Sequence, residues 1–329
     1  LAINGYSDSK GLHFVFEASY ALNSDLDLEQ FARLYENALS EVVAHCMARI
    51  EDSPELSTSQ GNLQLLKQGA KDQIIVLLPG KYGTLIDYMS LVHSLSDDFR
   101  IYGLDLTSGT QDYQSIEQMA SSCMDELLSI SSKSTFTIIG HSFGAILMHE
   151  IGCQMVQQGK VPVLINLDQE ATYRENISDA VDDVQLLNNF KFLVSDYYGS
   201  TIDFDVDGVG EELLKLDSNE SRATYLQQTI ADEEFLALIN RLMSPDELSR
   251  HHTALMDSYE LKSNKSAKLY LIKSKGSQRE GDEEDWGWHE YYKEVAYFVV
   301  EGHHFSMYKG ENSIGLSHKI NKIVENGTL

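Results

Sequence analysis

Basic residues are scarce in this chain. Its 329 residues carry 25 Lys and Arg against 51 Asp and Glu, a formal net charge of −26 at pH 7. Such a surface repels phosphate backbones and anionic lipid headgroups, which argues against nucleic acid and against a membrane surface as partners. The acidic residues are spread along the chain instead of forming a tail, which describes a well-solvated surface. Long apolar runs are missing as well: none approaches the roughly 18 residues that a membrane span needs. Cysteine is rare and scattered, at Cys46, Cys123 and Cys153, each on the apolar face of an expected helix. That pattern fits reduced core residues of a cytoplasmic protein, not a disulfide framework or a zinc set. The chain starts at Leu1 with neither a basic n-region nor an apolar h-region, so it reads as a piece excised from a longer protein. With 42% hydrophobic residues it can build one large α/β domain, or one domain plus an appendage.

The appendage comes first. Residues 12–20 alternate apolar and polar side chains, the period of a strand, and Leu28, Phe31, Tyr35, Leu39, Val42, Cys46 and Ile50 then step by three or four. One strand and one helix over residues 1–50 cannot bury their apolar faces alone. Residues 51–61, with three Ser and single Pro, Thr, Gln and Gly residues, form a linker. From residue 62 on, strands alternate with helices: strands at 73–78, 100–106, 135–139 and 161–167, helices at 85–95, 116–130 and 146–158. Alternation of this kind predicts a mostly parallel sheet with helices on both faces. The rhythm breaks over residues ~170–262, a helical insertion, and resumes with strands at 268–273 and 295–300 and a final helix at ~313–324.

The chemistry is carried by Gly140-His141-Ser142-Phe143-Gly144-Ala145, between an apolar strand and an apolar helix. Strand, sharp turn and helix with serine at the tip of G-x-S-x-G is the setting of a nucleophile elbow. The turn is too tight for a Cβ at either glycine. It lifts the serine hydroxyl above the sheet and aims a helix N-terminus at any developing oxyanion. A serine nucleophile needs a base and the base needs an orienting acid, both from loops at the carboxyl ends of strands. His304 follows the 295–300 strand, with His303 as its local rival. Asp168 ends the strand after the nucleophile helix, with Glu280 and Asp282 as rival acids after the next strand.

These motifs resemble a family. Residues ~62–329 resemble the thioesterase domain that ends nonribosomal peptide and polyketide synthetases, by way of the Ser142 elbow, Leu167-Asp168, and Gly302-His303-His304-Phe305-Ser306-Met307. The resemblance implies an α/β-hydrolase fold with a helical lid at about 170–262. It implies a triad of Ser142, Asp168 and His304, choosing His304 over His303 and Asp168 over Glu280. His303 departs from the family's usual Asp. The loop from Pro79 to Gly83 matches the family's oxyanion loop, so the backbone N–H groups of Gly80, with Lys81 close behind, and of Phe143 are expected to hold the oxyanion. The implied activity is release of an acyl or peptidyl chain by hydrolysis or macrocyclisation. No cofactor of its own is expected; the substrate would arrive on the phosphopantetheine arm of a carrier protein belonging to a larger synthetase. Residues 1–50, through Ile3-Asn4-Gly5, the strand and the helix ending Val42-Val43-Ala44-His45-Cys46, resemble the tail of a condensation or epimerization domain. The condensation motif of two His and an Asp is absent, as is the serine motif of a carrier domain, so the carrier must be supplied from outside this stretch. The alternatives are a stand-alone editing thioesterase, an esterase, or a catalytically silent docking domain.

Four further signals read more plainly. Asp203 to Gly208 copies the first half of a calcium loop, but its twelfth position is Leu214 instead of Glu, so an acidic lid loop is expected. His251 and His252 lack zinc spacing and are expected on the lid surface. Lys81 reads as an exposed loop lysine. Trp286-Gly287-Trp288 is expected to pack under the His304 loop.

Overall fold

The computed structural model describes residues 2–8, 11–17 and 32–40, and most of the chain from residue 62 to residue 326. Within that last stretch residues 172–189, 195–204, 231–234, 237–246 and a few short loop segments lie outside the described set. The chain divides into two compact units, Leu1–Gln60 and Gly61–Leu329. In the first, β1 (Ala2–Asp8) pairs antiparallel with β2 (Gly11–Glu17), and residues 32–40 are helical. The expected strand is present, and it has a partner that the alternation pattern did not reveal. The expected linker and Cys46 lie outside the described residues.

The second unit is a seven-stranded sheet in the order β3-β5-β4-β6-β7-β8-β9. These strands are β3 (Leu63–Lys67), β4 (Ile74–Leu78), β5 (Arg100–Leu104), β6 (Phe136–His141), β7 (Val163–Leu167), β8 (Lys268–Ser274) and β9 (Glu294–Val300). All neighbours run parallel except β3, which lies antiparallel on β5 at the edge. This is the α/β-hydrolase architecture, as expected. Edge strand β3 was hidden in a short Leu-Gln-Leu-Leu-Lys run next to the linker.

Both sheet faces are covered, as parallel strands require. Every residue of β4 is buried. Val76 and Leu78 join Ile138, Leu147, Leu164 and Leu271 on one face, while Ile75 and Leu77 join Leu91, Ile139, Ile165 and Ile320 on the other. The period of two in the strand thus feeds two cores. The nucleophile helix, Phe143–Gln157, is apolar nearly all round and is buried from Phe143 to Cys153. A helix without a polar face belongs in the interior, and here it packs on β6, β7 and the helix Ile116–Ile130. The expected helix at 85–95 is instead a 3-10 turn, Ile86–Tyr88, followed by a short helix, Met89–Ser94. That break matters, because it turns Tyr88 inward. Cys123 and Cys153 are buried thiols, and burial pushes the Cys153 thiol up to about 12.

The described part of the insertion is helical: Val206–Leu214, Asn219–Thr229 and Glu247–Ser258. It has a small core of its own, built from Phe190, Val194, Val209, Leu213, Leu226, Ile230 and Phe235. Asp205 caps the first of these helices, its carboxylate accepting from the Gly208 amide at 3.1 Å. Chain from residue 206 onward is therefore helix and not the acidic loop expected there; Asp203 lies outside the described residues. Among the described residues no helix is long and apolar enough to cross a membrane.

Candidate active site

Ser142 sits between β6 and the nucleophile helix with φ 53° and ψ −123°. Such a conformation costs a non-glycine residue about 1–3 kcal/mol and persists only where its surroundings impose it. They do so here. A Cβ on Gly140 would lie 2.3 Å from the Gly144 oxygen, and one on Gly144 would lie 2.3 Å from the Leu78 oxygen. The helix is thus pressed onto β4 and β6, and the only course left for the chain is the strained turn. The Ser142 amide donates to the Leu167 carbonyl at 3.2 Å, which ties the turn to the end of β7. The Ser142 hydroxyl makes no capping bond to its own helix, so it is not committed to holding the turn together.

Asp168 follows β7 directly and also has positive φ, 60°. Its side chain is buried and receives several donors: the Ser274 amide at 2.5 Å and hydroxyl at 3.0 Å, the Ser277 hydroxyl at 2.5 Å and His304 Nδ1 at 3.0 Å. Burial by itself would raise this carboxyl, but the bonds from His304, Ser277 and Ser274 outweigh it and hold Asp168 below the ordinary carboxylate range. Asp168 is therefore ionised, and Nδ1 of His304 carries the proton it donates. Whenever the ring is neutral, its lone pair is therefore on Nε2.

The neighbours of this pair sort themselves out. His303 takes a local role: its Nδ1 accepts from the Phe305 amide at 3.3 Å, while burial, then the charges of His304 and Lys309, lower it to about 4. Asp282 accepts from Trp286 Nε1 at 3.3 Å, and Glu280 lies outside the described residues. Of the sequence candidates the structure brings Asp168 and His304 together. It places Ser142 one residue from His141, whose ring is 4.5 Å from that of His304.

His141 organises the floor of the site, a role the sequence did not suggest. Its Nε2 lies 2.9 Å from the His304 carbonyl oxygen, which can only accept, so Nε2 bears the proton. Its Nδ1 is then an acceptor and takes the Tyr88 hydroxyl proton at 2.8 Å. The Tyr88 oxygen in turn accepts the Gly80 amide at 2.9 Å. Burial, then the nearby His304 charge, keeps His141 well below its usual range, so this neutral tautomer persists. One relay, Gly80 to Tyr88 to His141 to His304, thus links the loop after β4 to the histidine loop. It also qualifies the oxyanion expectation: in this conformation the Gly80 amide is engaged by Tyr88. Phe143, at the helix N-terminus, is buried, and its ring lies against His252.

Two expectations need correction. His252 is not on the lid surface but fully buried, while His251 is partly buried. Trp288 does not pack under the His304 loop. Its indole N–H donates to the Gln169 carbonyl at 2.8 Å and its ring lies among His149 and Tyr292. It supports the segment after Asp168 from one face, whereas Met307 and Tyr308 of the histidine loop belong to the core of the other face. Each ring is too amphipathic for its burial to be read from composition alone.

Comparison with known proteins agrees with this fold. A four-domain nonribosomal peptide synthetase, holo-AB3403 bound to AMP and glycine, is similar over 80% of this chain at 20% identity and a TM-score of 0.58. The match covers 20% of that synthetase, so this chain spans about a fifth of its length. The Vlm2 thioesterase domain, solved with a bound dodecadepsipeptide, is similar over 79% of this chain and 96% of its own, at 18% identity and a TM-score of 0.52. The NocB thioesterase domain of the nocardicin cluster covers 80% of this chain and 99% of its own, at 15% identity and a TM-score of 0.51. These likenesses share the fold. A search of curated protein sequences finds no significant match. Residues 73–324, most of the chain, match the family described as Thioesterase domain. That match takes in the elbow, the acid and the histidine loop, and with it the chain belongs to the thioesterase domain family.

Proposed function

We propose that this thioesterase releases a finished acyl or peptidyl chain from a carrier-bound thioester, with Ser142, His304 and Asp168 as its triad. The observation that carries the reading is the Asp168–His304 pair at 3.0 Å, with the His304 ring 4.5 Å from that of His141, the residue before a strained, uncapped Ser142. His304 Nε2 takes the Ser142 proton as Oγ attacks the thioester carbonyl. Asp168 fixes the tautomer and supports the imidazolium that forms. The tetrahedral oxyanion is held by the Phe143 amide and by the loop after β4. For Gly80 to contribute, its amide must exchange the Tyr88 oxygen for the substrate oxygen. The thiol of the phosphopantetheine arm leaves with the proton from His304, and an ester remains on Ser142. Water, or an amine or hydroxyl of the chain itself, then releases the product.

An acidic carrier-dependent enzyme of this kind is the last station of a synthetase. The first 50 residues, read as the tail of a condensation-type domain, support that placement, and so does the likeness to a multidomain synthetase. The test is chemical: incubation of the full chain with an alkyl fluorophosphonate, followed by peptide mass mapping, together with turnover of acyl N-acetylcysteamine thioesters. Label on Ser142 and thioester turnover that Ser142→Ala abolishes are expected. A chain that neither labels nor turns over any such thioester is a docking domain instead.

A further inference from the structure

We propose that His252 is a positioning residue that couples the seating of the lid to the alignment of the oxyanion donors. The inference rests on the thioesterase reading above and adds a residue to it. His252 lies in the lid helix Glu247–Ser258, which packs on the nucleophile helix, and it is fully buried. Its Nδ1 lies 2.7 Å from the Lys81 carbonyl oxygen. A carbonyl only accepts, so Nδ1 donates. In the neutral ring its Nε2 is then an acceptor and lies 3.1 Å from the Thr110 hydroxyl, whose single proton it shares with the Leu106 carbonyl at 3.0 Å. Its ring stacks on Phe143, with centroids 4.5 Å apart and planes 13° from parallel.

A single lid side chain therefore touches the residue after Gly80 on one loop and the residue after Ser142 on the elbow. Those two segments carry the amides proposed to hold the oxyanion, that of Gly80 once it leaves the Tyr88 oxygen. The Nδ1 bond pins the peptide plane on the far side of Lys81, and the stack holds Phe143 on its rotamer. The base is reached by the lid as well: Phe305, the residue after His304, packs against the lid core of Val209, Leu213 and Leu226. Lifting the helix Glu247–Ser258 would take the anchor from the loop. Lid closure and completion of the oxyanion site are on this view one event, so acyl transfer is fast only when the lid excludes water.

Phosphonylation of Ser142 by an alkyl fluorophosphonate, measured on the full chain over a range of probe concentrations, separates this role from a merely structural one. The phosphoryl oxygen of the probe takes the oxyanion position as Ser142 attacks, so kinact reads the alignment and KI reads binding. His252→Phe keeps a ring on Phe143 and removes the donor. His252→Asn keeps a donor near the Nδ1 position. The Phe variant is expected to lower kinact about 10–100-fold, below the full loss of an oxyanion donor, with KI within about threefold. The Asn variant is expected to recover to within about fivefold of the parent. A wild-type kinact in the Phe variant, a change confined to KI, or equal loss in the two variants would overturn the proposal. Should His252→Phe fail to fold, Thr110→Val leaves His252 in place and removes its Nε2 partner. It is expected to lower kinact about 3–10-fold, and an unchanged kinact there overturns the proposal too. Failure of the parent chain to label at Ser142 would sink the serine-hydrolase reading itself; labelling that is indifferent to residue 252 would sink this inference alone.

Discussion

Replacing Asp168 by Asn changes one atom and tests the proposed acid. The structure dictates how the amide must sit. Asp168 Oδ1 receives the Ser274 amide at 2.5 Å, a donor with a fixed direction, so the Asn oxygen has to stay there. The Asn Nδ2 then faces His304 Nδ1 where Oδ2 was, at 3.0 Å, donor against donor. His304 relieves that clash by moving its proton to Nε2 and accepting on Nδ1. The base then points a proton, not a lone pair, at Ser142. The Ser274 and Ser277 hydroxyls adapt by rotation, since their 2.7 Å mutual contact leaves either free to donate. A tautomer swap of this kind costs about 10⁴ in kcat in a serine protease, which is ~5.4 kcal/mol of barrier. Stability should change by only about 1 kcal/mol, because losing the ionic share of these bonds is offset by no longer burying a charge. The pH dependence has a definite sign. Asp168 is held below the ordinary carboxylate range, so its ionised form stabilises the fold above that range. This contribution is lost as pH falls through the folded-state value. The Asn variant should lack that part of the acid-limb loss. Single-turnover kinetics on an acyl N-acetylcysteamine thioester, with thermal melts across pH, measure both quantities. A kcat loss under tenfold, or greater damage from Asp282→Asn or Glu280→Gln, would refute the assignment.

Ser142→Ala should leave less than ~1% of thioesterase activity and an unchanged melting profile, since triad members act as a unit; higher residual turnover would point to another nucleophile. Glu150, buried in the nucleophile helix, accepts from Tyr259 Oη at 2.6 Å, Lys262 Nζ at 2.9 Å and Gln154 at 3.0 Å. Glu150→Ala should cost about 1–3 kcal/mol in a urea titration, chiefly by stranding the Tyr259 hydroxyl, because the part-exposed Lys262 keeps Glu117 at 3.3 Å and Gln154 keeps the Glu117 carbonyl at 3.0 Å; a loss under about 0.5 kcal/mol would contradict it. Burial first of all lowers His149 from 6.5 to about 4, against the weaker pull of Glu150. The unfolded chain therefore binds the extra proton between those values, and stability should fall as pH drops from 6.5 toward 4, by up to about 3 kcal/mol for this group. Urea midpoints over that range should flatten in His149→Gln, and an unaltered slope would show that His149 is not the titrating group. Amides of the lid helices Val206–Leu214 and Asn219–Thr229 should exchange faster than those of β4 and β6 and slow when Ser142 is phosphonylated; uniform exchange would make the lid a fixed wall.

Much of this protein was legible because its decisive signals are local. The run 74–78 has no polar position, so it had to be a strand covered on both faces, and the glycines around Ser142 admit only a tight strand-to-helix turn. Chain order of Ser142, Asp168 and His304 followed from strand ends, which the alternation of strands and helices already located. The antiparallel strands β1 and β3 were missed because β3 has only five residues and β1 carries Asn4 and Gly5 in mid-strand, so that in each a pairing partner and not the local pattern decides the conformation. The residues around the triad were beyond reach for a different reason. Histidine and tyrosine are equally at home in water and in a buried network, and their partners lie far off in the chain. His252 meets a carbonyl 171 residues away, and His141 meets one 163 residues away. Whether such a ring finds solvent or a carbonyl depends on how lid, oxyanion loop and histidine loop converge over the sheet. The sequence by itself determined the fold and the chain order of the groups proposed to react; only the tertiary structure decided which neutral rings hold them in register, because that choice depends on distances between segments that no local pattern encodes.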